Sequence, residues 1–498
     1  MSKRADFLAV DVGAESGRVF LGCFDGQRVD LREVHRFANV PVRVADGLHW
    51  DVLRIMHEVN EGLRRAVREG RELASVGVDT WGVDFALLDR DGALVSNPYH
   101  YRDGRTEGMM ERAAERVPAE EVYRTTGIQF IPLNTLYQLL ALEDSPLLEA
   151  AETLMMMPDL IGYWLTGEKA CEYTNATTTQ LYDLDAADWA WELARKLGIP
   201  ERIFPEIIAP GTQLGALLPE VRVETGLGEV PVMATATHDT ASAVVAVPAD
   251  GPFAYISSGT WSLVGVETER PVTTQGALRH NFTNEGGFGG RVRLLRNVMG
   301  LWLLQECRRT WGRAGSDYSY EELVRLAEAA APFGALVEPD HPGFLAPGDM
   351  PARLRDFCAK TGQDLSEEPG VIARCVFESL ALKYRWVLEK AEEVSGQRAE
   401  KVHVVGGGAR NSLLCRLTAE ATRRPVVAGP VEATVLGNVM VQACGRGYVG
   451  SLEEIRDVVR SSVEPDTYYP EDEAARWEEA FGRFSELMDA RLEGVVME

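Results

Sequence analysis

No cysteine pair in this chain has the spacing of a redox or metal motif. The seven cysteines (Cys23, Cys171, Cys307, Cys358, Cys375, Cys415, Cys444) are scattered, none forms a CxxC pair, and their odd number does not complete a disulfide framework. They read as small apolar fillers, with Cys358 and Cys375 as candidates to approach one another. No Cys/His cluster has zinc spacing, and neither H-E-x-x-H nor G-x-S-x-G occurs, which removes two common hydrolase signatures. Positive charge is in deficit: 51 Lys and Arg stand against 76 Asp and Glu, a formal charge of −25. That balance argues against nucleic acid or an anionic membrane as the main partner. Apolar runs of roughly eighteen residues, the length that spans a bilayer, are absent. The start, Met1-Ser2-Lys3-Arg4-Ala5-Asp6, leads into a strand without an apolar signal region, so the cytoplasm is the expected location.

What is present is the composition of a globular protein, 45% hydrophobic and 26% charged, over 498 residues. That length exceeds one core and predicts two or three domains. The run Phe7–Leu21 reads as an apolar strand ending on Asp11, a turn through Gly13, Ala14, Glu15, Ser16 and Gly17, and a second strand carrying Arg18. Apolar residues at Leu53, Met56, Val59, Leu63 and Val67 predict a helix, followed by strands at 75–80 and 83–88. Residues 100–225 are expected to be helix-rich and polar. The strand grammar then repeats: Phe253–Val266 is again strand, small polar turn and strand. A helix over 375–394 precedes the strand Lys401–Val405 and three glycines. Two related α/β halves are expected, each a mixed sheet with helices, facing one another across a cleft. Pro248 and Asp250-Gly251-Pro252 put the boundary near 247, dividing the chain into 1–247 and 248–498.

Several segments carry chemistry, each with a plainer alternative. The Gly13–Gly17 turn offers backbone N–H groups to a phosphate, with Asp11 placed to hold a metal-bound water; the alternative is a polar hairpin tip. Thr237–Ala243 lies between strand and helix, so Asp239 is either a general base toward a hydroxyl or a helix N-cap. Ser257–Thr260 is a phosphate turn or a hairpin tip. The triple glycine Gly406–Gly408 favours close approach of a ligand. There is no GxxxxGK[ST], and GGGARN is not the GxGxxG fingerprint. Residues 283–290 are expected to form a mobile loop. Asn297 and Gln305, eight apart in Asn297–Gln305, are expected near one face of a helix.

With these segments in view, the chain resembles the FGGY family of carbohydrate kinases over nearly its whole length. The resemblance is carried by AVDVGAESGRV, VGVDTWGVDFALLD, YRDGRT, GIQFIPLNTLYQL, EYTNATTTQL, THDTASAV, SSGTWSLVG, NEGG, RNVMGLWLLQ, VVGGGARN and GPVEATVLGN. It implies an actin-like, ribonuclease-H-like ATPase fold in two domains. It also implies ATP as phosphoryl donor, Mg²⁺, and a small ketose as acceptor. DTWGVDF and EYTNATTTQL are similar to the branch that phosphorylates L-rhamnulose at O1 to L-rhamnulose 1-phosphate. A kinase for L-fuculose or L-xylulose, a non-catalytic sugar- or nucleotide-binding regulator, and an actin-type filament protein are the alternatives. The resemblance assigns Asp239 as proton acceptor and Gly82, His238, Asp239, Thr240 and Asn297 to the sugar. Ala14, Glu15, Ser16, Gly17, Arg18, Thr260, Gln305 and Gly407 fall to ATP, and Asp11 to the metal. Glu15 departs from the small polar residue expected in a phosphate-facing turn, so its side chain is expected to point away. A monomer or small homo-oligomer is expected.

Overall fold

In a computed structural model, residues 4–45, 47–471 and 473–495 are described. They form two compact units. The first holds residues up to 248 together with 267–294 and 432–463, and the second holds 249–266, 295–431 and 464 onward. The chain therefore passes between units at 248/249 and again four times before its end.

The first unit is organised by a six-stranded sheet in the order Gln213–Ala216, Pro231–His238, Leu73–Thr80, Ala5–Val12, Ser16–Phe24, Val29–Ala38. Ala5–Val12 is its hinge of direction, antiparallel to Ser16–Phe24 and parallel to Leu73–Thr80. Phe7, Leu8, Ala9, Val10 and Val12 are wholly buried, the continuous apolar run expected of a strand covered on both faces. The helix Val52–Val67 starts where Asp51 accepts a hydrogen bond from the Arg54 amide. Its buried face is Ile55, Val59 and Leu63, as their spacing requires.

The helix Ala433–Gly445 returns to this unit and packs on Asp239–Val245 so closely that a Cβ on Gly437 would lie 1.8 Å from the Ser242 carbonyl oxygen. The helix-rich middle region is not merely polar. Val117, Leu136, Leu140, Leu154, Trp189 and Leu193 give it an apolar core of its own.

The second unit repeats the plan. Its seven-stranded sheet runs Thr283–Gly286, Val292–Met299, Trp261–Thr268, Phe253–Ser258, Lys401–Val405, Val426–Ala428, Asp466–Tyr468. Phe253–Ser258 is antiparallel to one neighbour and parallel to the other, like Ala5–Val12. In each unit a helix precedes the parallel neighbour: Val52–Val67 in the first, Pro369–Ser395 in the second.

Two local expectations are corrected. Thr283–Gly286 is a buried strand rather than part of a mobile loop, held by Tyr123 Oη on the Phe282 carbonyl and by Gly286 N–H on Thr177 Oγ. Asn297 and Gln305 do not share a helix: Asn297 is on the strand Val292–Met299, and the helix begins at Trp302. The break falls at Gly300, where a Cβ would sit 2.4 Å from Ser262 Oγ. All seven cysteines are free, and the Cys358 and Cys375 thiols hydrogen-bond to one another. Among the described residues no helix is long and apolar enough to cross a membrane.

Candidate active site

Three carboxylates gather at the C-terminal ends of three adjacent parallel strands of the first unit. Asp11 lies directly beside Asp79 in register, and the next strand pairs His238 with Thr80 and delivers Asp239. Asp11 and Asp79 are 3% and 0% exposed. Burial raises both carboxyls, Asp239 raises each of them further, and Asp11 also raises Asp79, since like charges in a dry site oppose ionisation. Asn438 donates to Asp79 Oδ2 at 2.5 Å, whereas Asp79 Oδ1 is buried without a partner among the described residues. Asp79 and Asn438 were not among the sequence expectations.

Arg18, opposite Asp11 across the hairpin, bridges Asp11 and Glu432 with its two terminal nitrogens. Its charge offsets this acidic cluster, so the Arg18 side chain is committed to carboxylates in this structure. The turn before it is closed by Gly13 N–H on the Ser16 carbonyl and braced by Asn39, whose side chain donates to the Gly13 carbonyl at 3.0 Å. Ala14 and Ser16 are half-buried in that turn and Glu15 is exposed. Gly17 is required for packing: a Cβ there would lie 2.0 Å from the Phe37 ring.

Asp239 is the first residue of its helix, and His238 occupies the N-cap position without a side-chain cap bond. The N-cap alternative for Asp239 therefore does not describe it. Asp239 Oδ1 accepts from the Thr240 amide at 2.6 Å and from Thr240 Oγ at 3.2 Å, and 29% of its side chain is exposed. Desolvation raises its carboxyl, opposed first by His238 and then by the Thr240 donors and Arg293. His238 Nε2 is 3.5 Å from Asp239 Oδ1. On its other side His238 Nδ1 is 3.1 Å from Arg293 Nη2 and 3.3 Å from Glu285 Oε2. Arg293 is wholly buried and is anchored by its Nε donating to the Gly286 carbonyl at 2.8 Å. Glu285 lay within the quoted NEGG segment, but nothing local in the sequence marked Arg293.

Gly82 belongs to a turn in which the Asp84 amide donates to the Gly82 carbonyl and the Val83 amide to Thr178 Oγ. Next to it Asp84 is a buried acceptor for Trp50 Nε1 at 2.6 Å, Trp81 Nε1 at 2.9 Å and Gln138 Nε2 at 2.9 Å. Burial raises the Asp84 carboxyl to about 6, against those three donors. From pH about 6 down toward 3.8 the folded form binds a proton that the unfolded chain has released. Its contribution to stability is thus greatest below that window and is lost as pH rises through about 6. We expect tryptophan fluorescence of the native protein to titrate near that pH and Asp84→Asn to flatten the transition. An unchanged titration in the variant would assign it to another group.

The remaining expected residues lie in the second unit. The Thr260 carbonyl accepts from the Gly300 and Trp302 amides at 3.1 and 3.2 Å, which docks the hairpin turn on the start of the helix carrying Gln305. Gln305 Oε1 is buried without a partner among the described residues. Asn297 is half-buried. Of the three glycines, Gly408 is needed for packing, since a Cβ would lie 2.0 Å from Ser258 Oγ, and Gly406 has φ 81°. Gly407 alone faces open space. Among the described residues no three His, Cys, Asp or Glu side chains are grouped to hold a metal by themselves.

Two α/β units of one plan, the first with acids at the ends of its parallel strands, make the actin-like ATPase fold, and comparison with known proteins specifies it. Residues 7–246 match the FGGY family of carbohydrate kinases, N-terminal domain, and residues 254–445 match its C-terminal domain. The chain belongs to this family and is a sugar kinase that uses ATP. It is 46% identical over 484 residues to a rhamnulokinase of Bacteroides thetaiotaomicron, covering 97% of this chain and 99% of that protein. A rhamnulokinase of Bacillus subtilis is 38% identical over 468 residues, 94% and 96% of the two chains. Among solved structures, gluconate kinase from Lactobacillus acidophilus superposes with a TM-score of 0.81 at 18% identity, covering 98% of both chains. Plasmodium falciparum glycerol kinase with ADP gives 0.77 at 16% identity, covering 97% of this chain and 99% of that one.

Proposed function

We propose that this protein transfers the γ-phosphoryl group of ATP to O1 of L-rhamnulose, giving L-rhamnulose 1-phosphate and ADP. The observation that carries this reading is the Asp239 carboxylate, partly exposed at a strand end in a sugar kinase chain 46% identical to a rhamnulokinase. In the step, the O1 hydroxyl attacks the γ-phosphorus, the bond to the ADP oxygen breaks, and the hydroxyl proton passes to Asp239 Oδ. Phosphoryl transfer of this kind depends mainly on positioning and electrostatics. His238 and Thr240 orient Asp239, while Gly82, His238 and Asn297 are assigned to the ketose. Thr260, Gln305 and Gly407 of the second unit and the Ala14–Arg18 turn of the first are assigned to the nucleotide. The unpartnered Gln305 Oε1 and the open face of Gly407 support that assignment.

Mg²⁺ suits the acidic cluster. It is a hard cation that takes one or two carboxylates together with phosphates and waters, and the unpartnered Asp79 Oδ1 beside Asp11 supplies such a donor set. Asp11, with Asp79, would hold it, and its chemistry would be to offset charge on the phosphates. We place the reaction in the cytoplasm, where its nucleotide is supplied.

The test is ADP release with a panel of ketoses at equal concentration, with the product identified. L-Rhamnulose is expected to give the highest kcat/KM. Preference for L-fuculose or L-xylulose would overturn the substrate while leaving a kinase, and no turnover with any ketose would favour a regulator.

A further inference from the structure

The segment Glu172–Gln180 distinguishes this chain in sequence yet supplies none of the residues assigned above. In the structure four of its polar side chains bond to three first-unit segments beside Gly82, Glu285 and Asp239. Thr178 Oγ accepts from the Val83 amide at 3.1 Å, beside Gly82. Thr177 Oγ accepts from the Gly286 amide at 2.9 Å, beside Glu285. Thr174 Oγ accepts from the His238 amide at 3.2 Å, and Asn175 Nδ2 lies 3.3 Å from Thr237 Oγ.

At the base of this arrangement is Glu172, a wholly buried carboxylate for which the described residues provide no ion pair. A buried charge without a counter-ion is costly unless hydrogen bonds satisfy it. Glu172 has four. Oε1 accepts from the Thr174 amide at 2.9 Å; Oε2 accepts from Thr174 Oγ, from the Thr237 amide at 3.0 Å and from Thr237 Oγ at 2.8 Å. Burial raises its carboxyl and those donors oppose the rise. The neighbouring acid Asp159 accepts from the Glu172 amide at 3.2 Å and is itself raised well above the ordinary carboxylate range by burial. Two of the four donors belong to Thr237, two residues before Asp239. A third, Thr174 Oγ, passes the connection on to the His238 amide.

We propose that Glu172 is a positioning residue for phosphoryl transfer: through Thr237 and Thr174 it fixes the end of the strand Pro231–His238, and with it the direction in which Asp239 meets the acceptor hydroxyl. The proposal rests on Asp239 being the proton acceptor. A carboxylate is required because an amide accepts on one side only. Glutamine would turn an N–H toward either the Thr174 amide or the three donors on Oε2.

The test measures kcat, KM for ATP and for the ketose, and Tm in Glu172→Gln and in Thr174→Val, each alone and combined with Asp239→Asn. Displacement of a reacting group by about 1 Å costs on the order of 100-fold, so Glu172→Gln is expected to lower kcat by about 10- to 100-fold. KM for ATP should stay within about twofold, since the nucleotide residues of the second unit are untouched. In the Asp239→Asn background the further loss should be under about threefold, because orienting an absent base has no effect. An equal loss in both backgrounds, or wild-type kcat in folded Glu172→Gln, would overturn the proposal. Should Glu172→Gln not fold, Thr174→Val, which keeps the side-chain shape, is held to the same comparison. Full kcat in Asp239→Asn alone would instead refute the proton-acceptor reading and this inference with it.

Discussion

Asp239→Asn is expected to lower kcat by about two to four orders of magnitude, the range of a positioned general base. Asparagine keeps the volume and an oxygen that can accept from the Thr240 amide, as Asp239 Oδ1 does at 2.6 Å. What it loses is the ability to take the hydroxyl proton and the negative charge beside His238, whose Nε2 is 3.5 Å away. The KM for ATP should change little, so the loss should appear in kcat and in kcat/KM for the ketose together. In the parent enzyme the raised Asp239 carboxyl sets the direction of the acid limb: activity falls as pH drops through that value, because the protonated acid cannot accept. The variant should lack that limb. A decrease in kcat of less than about tenfold would place proton removal elsewhere.

Why Asp239 was legible in sequence, and Glu172 and Arg293 were not, follows from the range of the interactions. A strand ending on small polar residues before a helix is a local signal, and so are the two hairpin turns and the triple glycine. Asp79 has the same local setting as Asp11, at the end of a Val-rich strand, but its significance appears only when parallel register sets the two side by side. Arg293 and Glu285 are near in sequence to each other but reach His238 through tertiary packing. The return of Ala433–Gly445 to the first unit, where Asn438 meets Asp79, is a pairing across 359 residues that no local pattern encodes.

The misread segment is Asn297–Gln305. Its apolar spacing is compatible with a helix, but Val292–Met299 is recruited into a sheet and Gly300 is pressed on Ser262. Tertiary context overrode periodicity there. The glycines were read by the same local logic with mixed results. Gly17 and Gly408 serve the Phe37 ring and Ser258, and of the triple glycine only Gly407 keeps the open face that a ligand would need.

Lys383→Met is expected to produce the largest loss of stability, on the order of 3–5 kcal/mol, the cost of stranding buried carboxylates. Lys383 lies inward on the helix Pro369–Ser395 with no exposed side-chain surface. Its Nζ is 2.7 and 2.9 Å from the two Glu338 oxygens and 3.0 Å from Asp340 Oδ2. Asp340 in turn accepts from the Met299 amide at 2.8 Å and lies 3.7 Å from Arg296 Nε. Both cations pack on Trp386, at 5.2 Å for Lys383 and 5.4 Å for Arg296. Two acids and two bases thus form a neutral buried cluster.

Methionine fills a similar volume but leaves Glu338 without the Lys383 cation that chelates it. Glu338→Gln in the Lys383→Met background should recover part of the loss, since removing both charges avoids the stranded acid. Because two units need not unfold together, amide exchange along Pro369–Ser395 is the suitable readout, and protection there should fall by about 100-fold or more. A change below about 1 kcal/mol, the size of a surface ion pair, would show that water reaches the cluster and that it contributes no more than an exposed one.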